Sequence, residues 1–399
     1  MTQIVAELPS SASISTGISG PDAAASCNPL RIILWGTYDL GKPRTRILRD
    51  GLAEIGVKVT EIHADVWSSD ADKSQLSRLR MTLRLLRIIL AYPALIYRYL
   101  RAPEHDLVIV PYLGQFDVIV LWPFAKLRGR PVVLDLFLSL YDTVVNDRKM
   151  VKPDTLVARC LKAVERLSCR AADRVFLDTQ THANRIAELF GLDAGKVDAV
   201  PVGAEPGAFA DVAPRRPHDG PTRILFYGQL IPLHGVETIL RAALSDHGRQ
   251  YHWHIIGSGQ DQSHVTDALA TGDASHVTWD RWVPYEDLAA AIEQADICLG
   301  VFGTSEKAAS VVPNKVYQSL FAKRSVITRD TPAIHEVFAQ PDPALHLVPA
   351  ADPAAILNAI AALEAEGFPA MHPKQLEGAQ PAQIAESLRA KIAPLVKRT

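Results

Sequence analysis

The chain has 399 residues, 48% apolar and 22% charged, a composition that supports real cores in two or three domains. Lys plus Arg number 42 and Asp plus Glu 44, for a net charge of −2. That balance argues against a general nucleic-acid binder, which carries a clear basic excess. Cys27, Cys160, Cys169 and Cys298 form no C-x-x-C pair and have no metal-ligand spacing with histidine, so reduced thiols and a cytoplasmic location are expected. Residues 1–28 lack the basic and apolar regions of a secretory leader and read as a flexible tail. No 18-residue apolar run marks a membrane-spanning helix.

Order begins at Leu30. Leu30–Trp35 is a short apolar run closed by Gly36, as in a buried strand. A helical pattern through Ile47, Leu48, Leu52 and Ile55 follows, then an alternating strand from Val57 to Ile62. The rhythm continues with strands at Leu107–Val110, Val132–Leu134, Val175–Leu177 and Val197–Val202. Helical patterns at 116–127, 156–167 and 186–190 lie between them. Alternating strand and helix predicts a parallel sheet covered on both faces. Pro206, Pro214, Pro217 and Pro221 interrupt the pattern and mark a linker over 206–221. The rhythm restarts at Ile224–Tyr227, closed by Gly228. Further strands are expected at 253–256, 277–279, 297–301, 326–328 and 345–348. The expectation is an α/β chain of two doubly wound, Rossmann-like domains, over 29–205 and 222–375, facing across a cleft. A C-terminal helix follows over 376–399, with a crossing back to the first domain left open.

In such sheets ligands bind beyond the carboxyl ends of the strands. Three segments stand there. Gly228-Gln-Leu-Ile-Pro-Leu-His234-Gly235 joins a strand to a helix start, where free N–H groups and the helix dipole favour an anion. Gly257-Ser-Gly259 also follows a strand but lacks the third glycine of a dinucleotide fingerprint, so a plain turn accounts for it. Val312-Pro313-Asn314-Lys315 opens a helix. A lysine at a helix N-terminus opposes the dipole and makes sense beside a bound anion. Asp70-Ala-Asp72 has a metal-binding D-x-D form, but it follows no strong strand, which argues against a metal role.

The second half resembles the donor-binding domain of glycosyltransferase family 4, a retaining group with the GT-B fold. The matching pieces are Phe226-Tyr-Gly228 … His234-Gly235, Trp253–Gly259, Trp282-Val-Pro-Tyr-Glu286, Ala295-Asp296 and Pro313-Asn314-Lys315. The first half is similar through Trp35-Gly36-Thr-Tyr-Asp39 … Pro43-Arg44, Asp135–Asp142, Asp178-Thr179 … His182 and Pro201-Val-Gly203. The resemblance implies transfer of a sugar from a nucleotide-sugar donor to a glycan or lipid-linked acceptor, with no cofactor and no metal. It also implies donor contacts at Gly36, Arg44, Gly228, His234, Gly235, Gly257, Pro313, Asn314 and Gln318. Asp135 and Glu306 would orient the sugar, and Lys315 would neutralise the leaving diphosphate. The pattern departs from the family at Gln229 and His234, where an Arg/Lys pair is usual. It departs again at Ser310 and Gln318, where two glutamates are usual. Those departures keep a catalytically degenerate binding subunit open, and a nucleotide-sugar 2-epimerase is a further alternative. An NAD-dependent oxidoreductase fits less well, because no G-x-G-x-x-G follows either opening strand.

Residues 73–103 hold seven basic residues and no acid. Arg80, Arg84 and Arg87, with Arg78 just before them, fall at helical spacing among leucines and isoleucines. This reads as an amphipathic helix for an anionic membrane surface, kinked or divided at Pro93. The expected location is cytoplasmic and peripheral, on the inner face of the plasma membrane.

Overall fold

A computed structural model describes residues 29–67, 78–270 and 273–396. Asp70, Asp72 and Lys73 lie outside the described residues.

The first half builds β1 (Arg31–Gly36), α1 (Pro43–Glu54), β2 (Lys58–His63), α2 (Arg78–Leu100), β3 (Leu107–Val110), α3 (Gln115–Leu127) and β4 (Val132–Asp135). It continues through α4 (Leu156–Ala171), β5 (Arg174–Leu177), α5 (Gln180–Phe190) and β6 (Val197–Ala199). The strands pair in parallel in the order β2-β1-β3-β4-β5-β6. Alternation along β1 decides which face each residue serves. Ile33 and Trp35 pack with Leu95 of α2, Leu121 of α3, Ala158 of α4 and Ile186 of α5. Ile32 and Leu34 pack on the opposite face with Ile47 and Leu52 of α1. β3 and β4 are buried throughout, which is why they read as unbroken apolar runs.

A short helix, α6 (Pro206–Phe209), lies in the proline-rich segment. Its Phe209 is fully buried, in one cluster with Val202 and Tyr227, so the connection is packed against the second domain.

The second half builds β7 (Arg223–Tyr227), α7 (Val236–Ala243), β8 (His252–Ile256), α8 (Gln262–Ala270), β9 (Val277–Asp280), α9 (Leu288–Gln294), β10 (Ile297–Leu299) and α10 (Glu306–Ser310). It ends with α11 (Asn314–Phe321), β11 (Ser325–Arg329), α12 (Pro332–Val337), β12 (Leu345–Val348), α13 (Pro353–Glu366), α14 (Pro373–Leu376) and α15 (Pro381–Ile392). Its parallel sheet has the order β12-β11-β10-β7-β8-β9. The strand order reverses between β7 and β10, so the loops after these two strands face the crevice where such sheets bind ligands. α15 returns to the first domain, where Ile384, Leu388 and Ile392 pack with α1.

Two local features bear on the site. α2 runs unbroken through Pro93. Proline sacrifices one intrahelical hydrogen bond but need not end a long helix held by packing, and here Leu95 and Tyr99, just beyond it, are buried. The residues after β4, with no clear period in sequence, form a π-helical turn over Asp142–Asp147.

Candidate active site

The loop after β7 is shaped by backbone. Gly228 has φ +138°, and a Cβ there would lie 3.0 Å from Lys315 Nζ and 3.3 Å from His234 Cε1. Gly235 is left-handed at the start of α7, and a Cβ on it would meet the Gly303 nitrogen at 2.7 Å. The loops after β7 and β10 are tied by Phe302 N donating to His234 O and Gly303 N to Leu233 O, at 3.1 and 3.2 Å. Gly257 is a packing glycine. A Cβ on it would lie 1.8 Å from the Gly228 carbonyl oxygen.

Lys315 stands in the first turn of α11 and is buried. Its Nζ has no hydrogen-bond partner and sits 3.8 Å from the centre of the Phe226 ring. Burial holds its pKa well below that of a free lysine. His234 Nδ1 donates to the Gln229 carbonyl oxygen, and the ring meets Phe226 edge-on at 5.7 Å. Its pKa is pushed well down, by burial first and then by Lys315, Arg148 and Lys307. The structure thus gathers Gly228, His234, Gly235 and Lys315 at one point. Pro313 and Asn314 are half-buried at the start of the same helix.

Gln318 is buried one turn further on. Tyr227 Oη donates to its Oε1 and its Nε2 donates to Tyr285 Oη, both at 3.2 Å. Tyr285 in turn donates to Glu205, which Arg46 clamps at 2.6 and 2.9 Å.

Three expected site residues are engaged elsewhere. Arg44 is buried and donates through Nε and Nη2 to Asp135, at 2.8–3.2 Å, and through Nη1 to the carbonyls of Val200 and Pro201. It does not reach across to phosphates, and Asp135 does not face a sugar, because each satisfies the other inside the first domain. The turn at Gly36 is filled by the Asp117 carboxylate. Its Oδ2 accepts from Thr37 N at 2.6 Å, in the space a Gly36 Cβ would need. Tyr92 Oη donates to the other oxygen. The Asp117 side of this turn is therefore closed to a donor phosphate.

Across the cleft stands the π-helical turn. Glu165 on α4 aims it, accepting from Ser139 Oγ and from the N–H groups of Leu140 and Tyr141 at 2.6–2.8 Å. From this turn Asp147 accepts from Ser305 Oγ at 2.7 Å, and Thr143 accepts from Lys307 Nζ at 2.5 Å. Arg148 Nη2 donates to Gln229 Oε1 at 2.9 Å, and the Arg148 carbonyl accepts from Gln260 at 3.0 Å. Arg185 on α5 donates to the buried Asp142 and, at 3.4 Å, to Glu306. Glu306 is otherwise exposed at the mouth. A cavity of about 830 Å3 occupies this seam, lined by Arg148, Lys149, Lys152, Arg185, Glu306 and Lys307 among others. Sequence reasoning missed Arg148, Arg185 and Lys307, whose importance comes only from their position in the seam.

The expected membrane residues separate. Arg84 is buried, with its guanidinium 4.8 Å from the centre of the Trp67 ring, so it is not free for headgroups. Arg87 is exposed. The side chains of Arg78 and Arg80 are not among the described atoms. α2 exposes Leu83, Leu86, Ile89, Leu90 and Tyr97, and α3 beside it exposes Phe116 and Trp122. Among the described residues no helix is long and apolar enough to cross a membrane.

A family described as Glycosyl transferases group 1 matches residues 221–366, and one described as Glycosyl transferase 4-like domain matches residues 37–203. Together they span most of the chain, which belongs to the glycosyltransferases of this group-1 and family-4-like type. No curated protein sequence matches it. Three solved structures illustrate the fold. The catalytic domain of starch synthase IV from Arabidopsis thaliana, bound to ADP and acarbose, has TM-score 0.64 at 9% identity, over 93% of this chain and 99% of that one. Sucrose-phosphate synthase from Thermosynechococcus elongatus has TM-score 0.60 at 17% identity, over 92% and 95%. Anabaena HepE in complex with UDP and glucose has TM-score 0.56 at 13% identity, over 91% and 99%. At these identities the likeness is one of fold, the GT-B arrangement of two Rossmann-like domains.

Proposed function

We propose that the protein moves a sugar, with retention of anomeric configuration, from a nucleoside-diphosphate sugar to a glycan or lipid-linked acceptor. The second domain holds the donor and the first receives the acceptor at an anionic membrane surface. The observation that carries this reading is the buried, unpartnered Lys315 amine beside the Gly228–Gly235 loop. An amine kept from water without a partner is costly, and an anion at that point removes the cost.

The chemistry follows from the placement. Departure of the nucleoside diphosphate leaves negative charge on phosphate oxygens. Lys315 and the N-terminus of α7 stabilise it, the N–H groups of Gly228 and Gly235 themselves being bonded to the carbonyls of Ile256 and Pro232. Neutral His234 fills the loop without adding a second charge beside Lys315. Glu306, at the cavity mouth, accepts from sugar hydroxyls, and the cavity, which reaches the donor loop at Pro232, receives donor sugar and acceptor. Asp135 has no part in this scheme. The complexes of the fold neighbours with ADP and with UDP support a nucleoside-diphosphate donor. The apolar stripe on α2, with the exposed Phe116 and Trp122, supports the membrane face.

Thermal melts with UDP, GDP, ADP, CMP and NAD test the donor reading. A ligand at 100 times its Kd raises stability by about 2.7 kcal/mol. A shift with a nucleoside diphosphate names the base. No shift with any of them refutes the reading, and binding without turnover of any matching nucleotide sugar points to a binding subunit.

A further inference from the structure

We propose that the diphosphate site is completed from the opposite domain, by Arg148 of the π-helical turn. Resting on the donor reading above, this divides the charge on the leaving group between the two halves of the molecule. The position after Gly228 carries no cation of its own, because it is Gln229. In its place the Arg148 guanidinium crosses the cleft and donates to the Gln229 side chain at 2.9 Å. It therefore stands one residue from the glycine whose missing Cβ leaves room for Lys315 Nζ.

Hydrogen bonding leaves this cation uncompensated. Arg148 Nε is buried without a partner, as is Lys315 Nζ. Asp147 and Asp261 lie within electrostatic reach of Arg148. Neither hydrogen-bonds to the guanidinium, and Asp147 Oδ1 is already taken by Ser305. The nearby Lys307 differs, since it donates to Thr143 and faces Asp142, Asp147 and Asp178. Arg148 and Lys315 both act on His234, and each keeps a buried donor without a partner. A mere latch between the domains needs no charge, because a neutral donor would satisfy Gln229 equally well. An anion with oxygens for both donors accounts for the pair, and a diphosphate supplies them. The carbonyl of Arg148, held by Gln260 of the loop after β8, fixes the side chain's root to the donor domain once the cleft is closed. Donor binding thereby draws the acceptor domain onto the site.

The test measures Kd by calorimetry for UDP, GDP and ADP and for their monophosphates. The proteins are the wild type, R148M, R148Q and the double variant R148M/Q229R. R148Q keeps a neutral hydrogen-bonding side chain toward Gln229 and lacks the charge. Q229R restores a cation beside Gly228 without the cross-domain contact. Both single variants are expected to lose about 10- to 100-fold in diphosphate affinity, the scale of one charge-assisted hydrogen bond. Monophosphate affinity should move much less. The double variant should regain diphosphate affinity to within about threefold of the wild type, and the loss should shrink as salt rises. Wild-type diphosphate affinity in R148M or R148Q overturns the proposal. So does an equal loss for mono- and diphosphates, or failure of Q229R to rescue, either of which marks a latch. If the wild type itself binds no nucleoside diphosphate, the donor reading falls and this proposal falls with it. Wild-type binding with an unaffected R148M removes the proposal alone.

Discussion

Replacing Asp135 with alanine separates two roles for that carboxylate. The Arg44 guanidinium is 1% exposed and makes three of its five contacts with Asp135. The other two go to the carbonyls of Val200 and Pro201, which neutralise no charge. Removing one partner of a buried pair strands the other charge and costs about 3–5 kcal/mol. At about 2–4 °C per kcal/mol for a domain of this size, the first domain should melt some 6–20 °C lower. Calorimetric melting of Asp135→Ala against the wild type reads this directly. Arg44→Met combined with Asp135→Leu should recover most of the loss, since an apolar pair of similar volume replaces the ion pair. A carboxylate that only orients sugar would leave the melt in place and abolish turnover. A melt within 2 °C of wild type, with donor turnover lost, would therefore refute the structural assignment.

Lys315→Met should stabilise the free protein and abolish diphosphate-induced stabilisation, as thermal melts with and without UDP, GDP or ADP would show. The pH dependence has a definite sign. Burial depresses the folded-state pKa well below 10.5, so between the two values the unfolded chain binds the extra proton. Stability of the free protein should then rise with pH across that window, and the rise should shrink in the variant. A wild-type melt that falls there in step with the variant would contradict it. Gly257→Ala places a Cβ 1.8 Å from a backbone oxygen at φ +146°, so a loss of about 3 kcal/mol or more is expected in denaturant titration. Gly207→Ala, with nothing within 4 Å, is the control and should melt near the wild type. Leu86→Glu with Leu90→Glu should sharply reduce sedimentation with anionic vesicles at low salt. Equal binding by wild type and variant would remove α2 from the membrane face.

Much of the fold was legible in the chain because the signals are local. Runs such as Val132–Leu134 announce strands buried on both faces, and their alternation with helical patterns forces parallel pairing. Pro206 to Pro221, also a local signal, lie between the last strand of one sheet and the first strand of the other. Lys315 also stood out locally, as a cation at the wrong end of a helix. Pro93 does not divide α2, because packing of Leu95 and Tyr99 outweighs one lost hydrogen bond. At Gly36 nothing near in sequence announces that Asp117 packs against the turn.

By itself the sequence determined which segments become strands and helices, and that two β/α halves meet at loops rich in glycine. Only the tertiary structure decided which charges are spoken for. Arg44 meets Asp135 across 91 positions, and Arg148 meets Gln229 across 81. Periodicity and turn chemistry act over a few residues and leave their trace in any short window. The pairing of distant charges is set by strand order and by the approach of two domains, and a buried cation is structural or functional according to whether that approach gives it a partner.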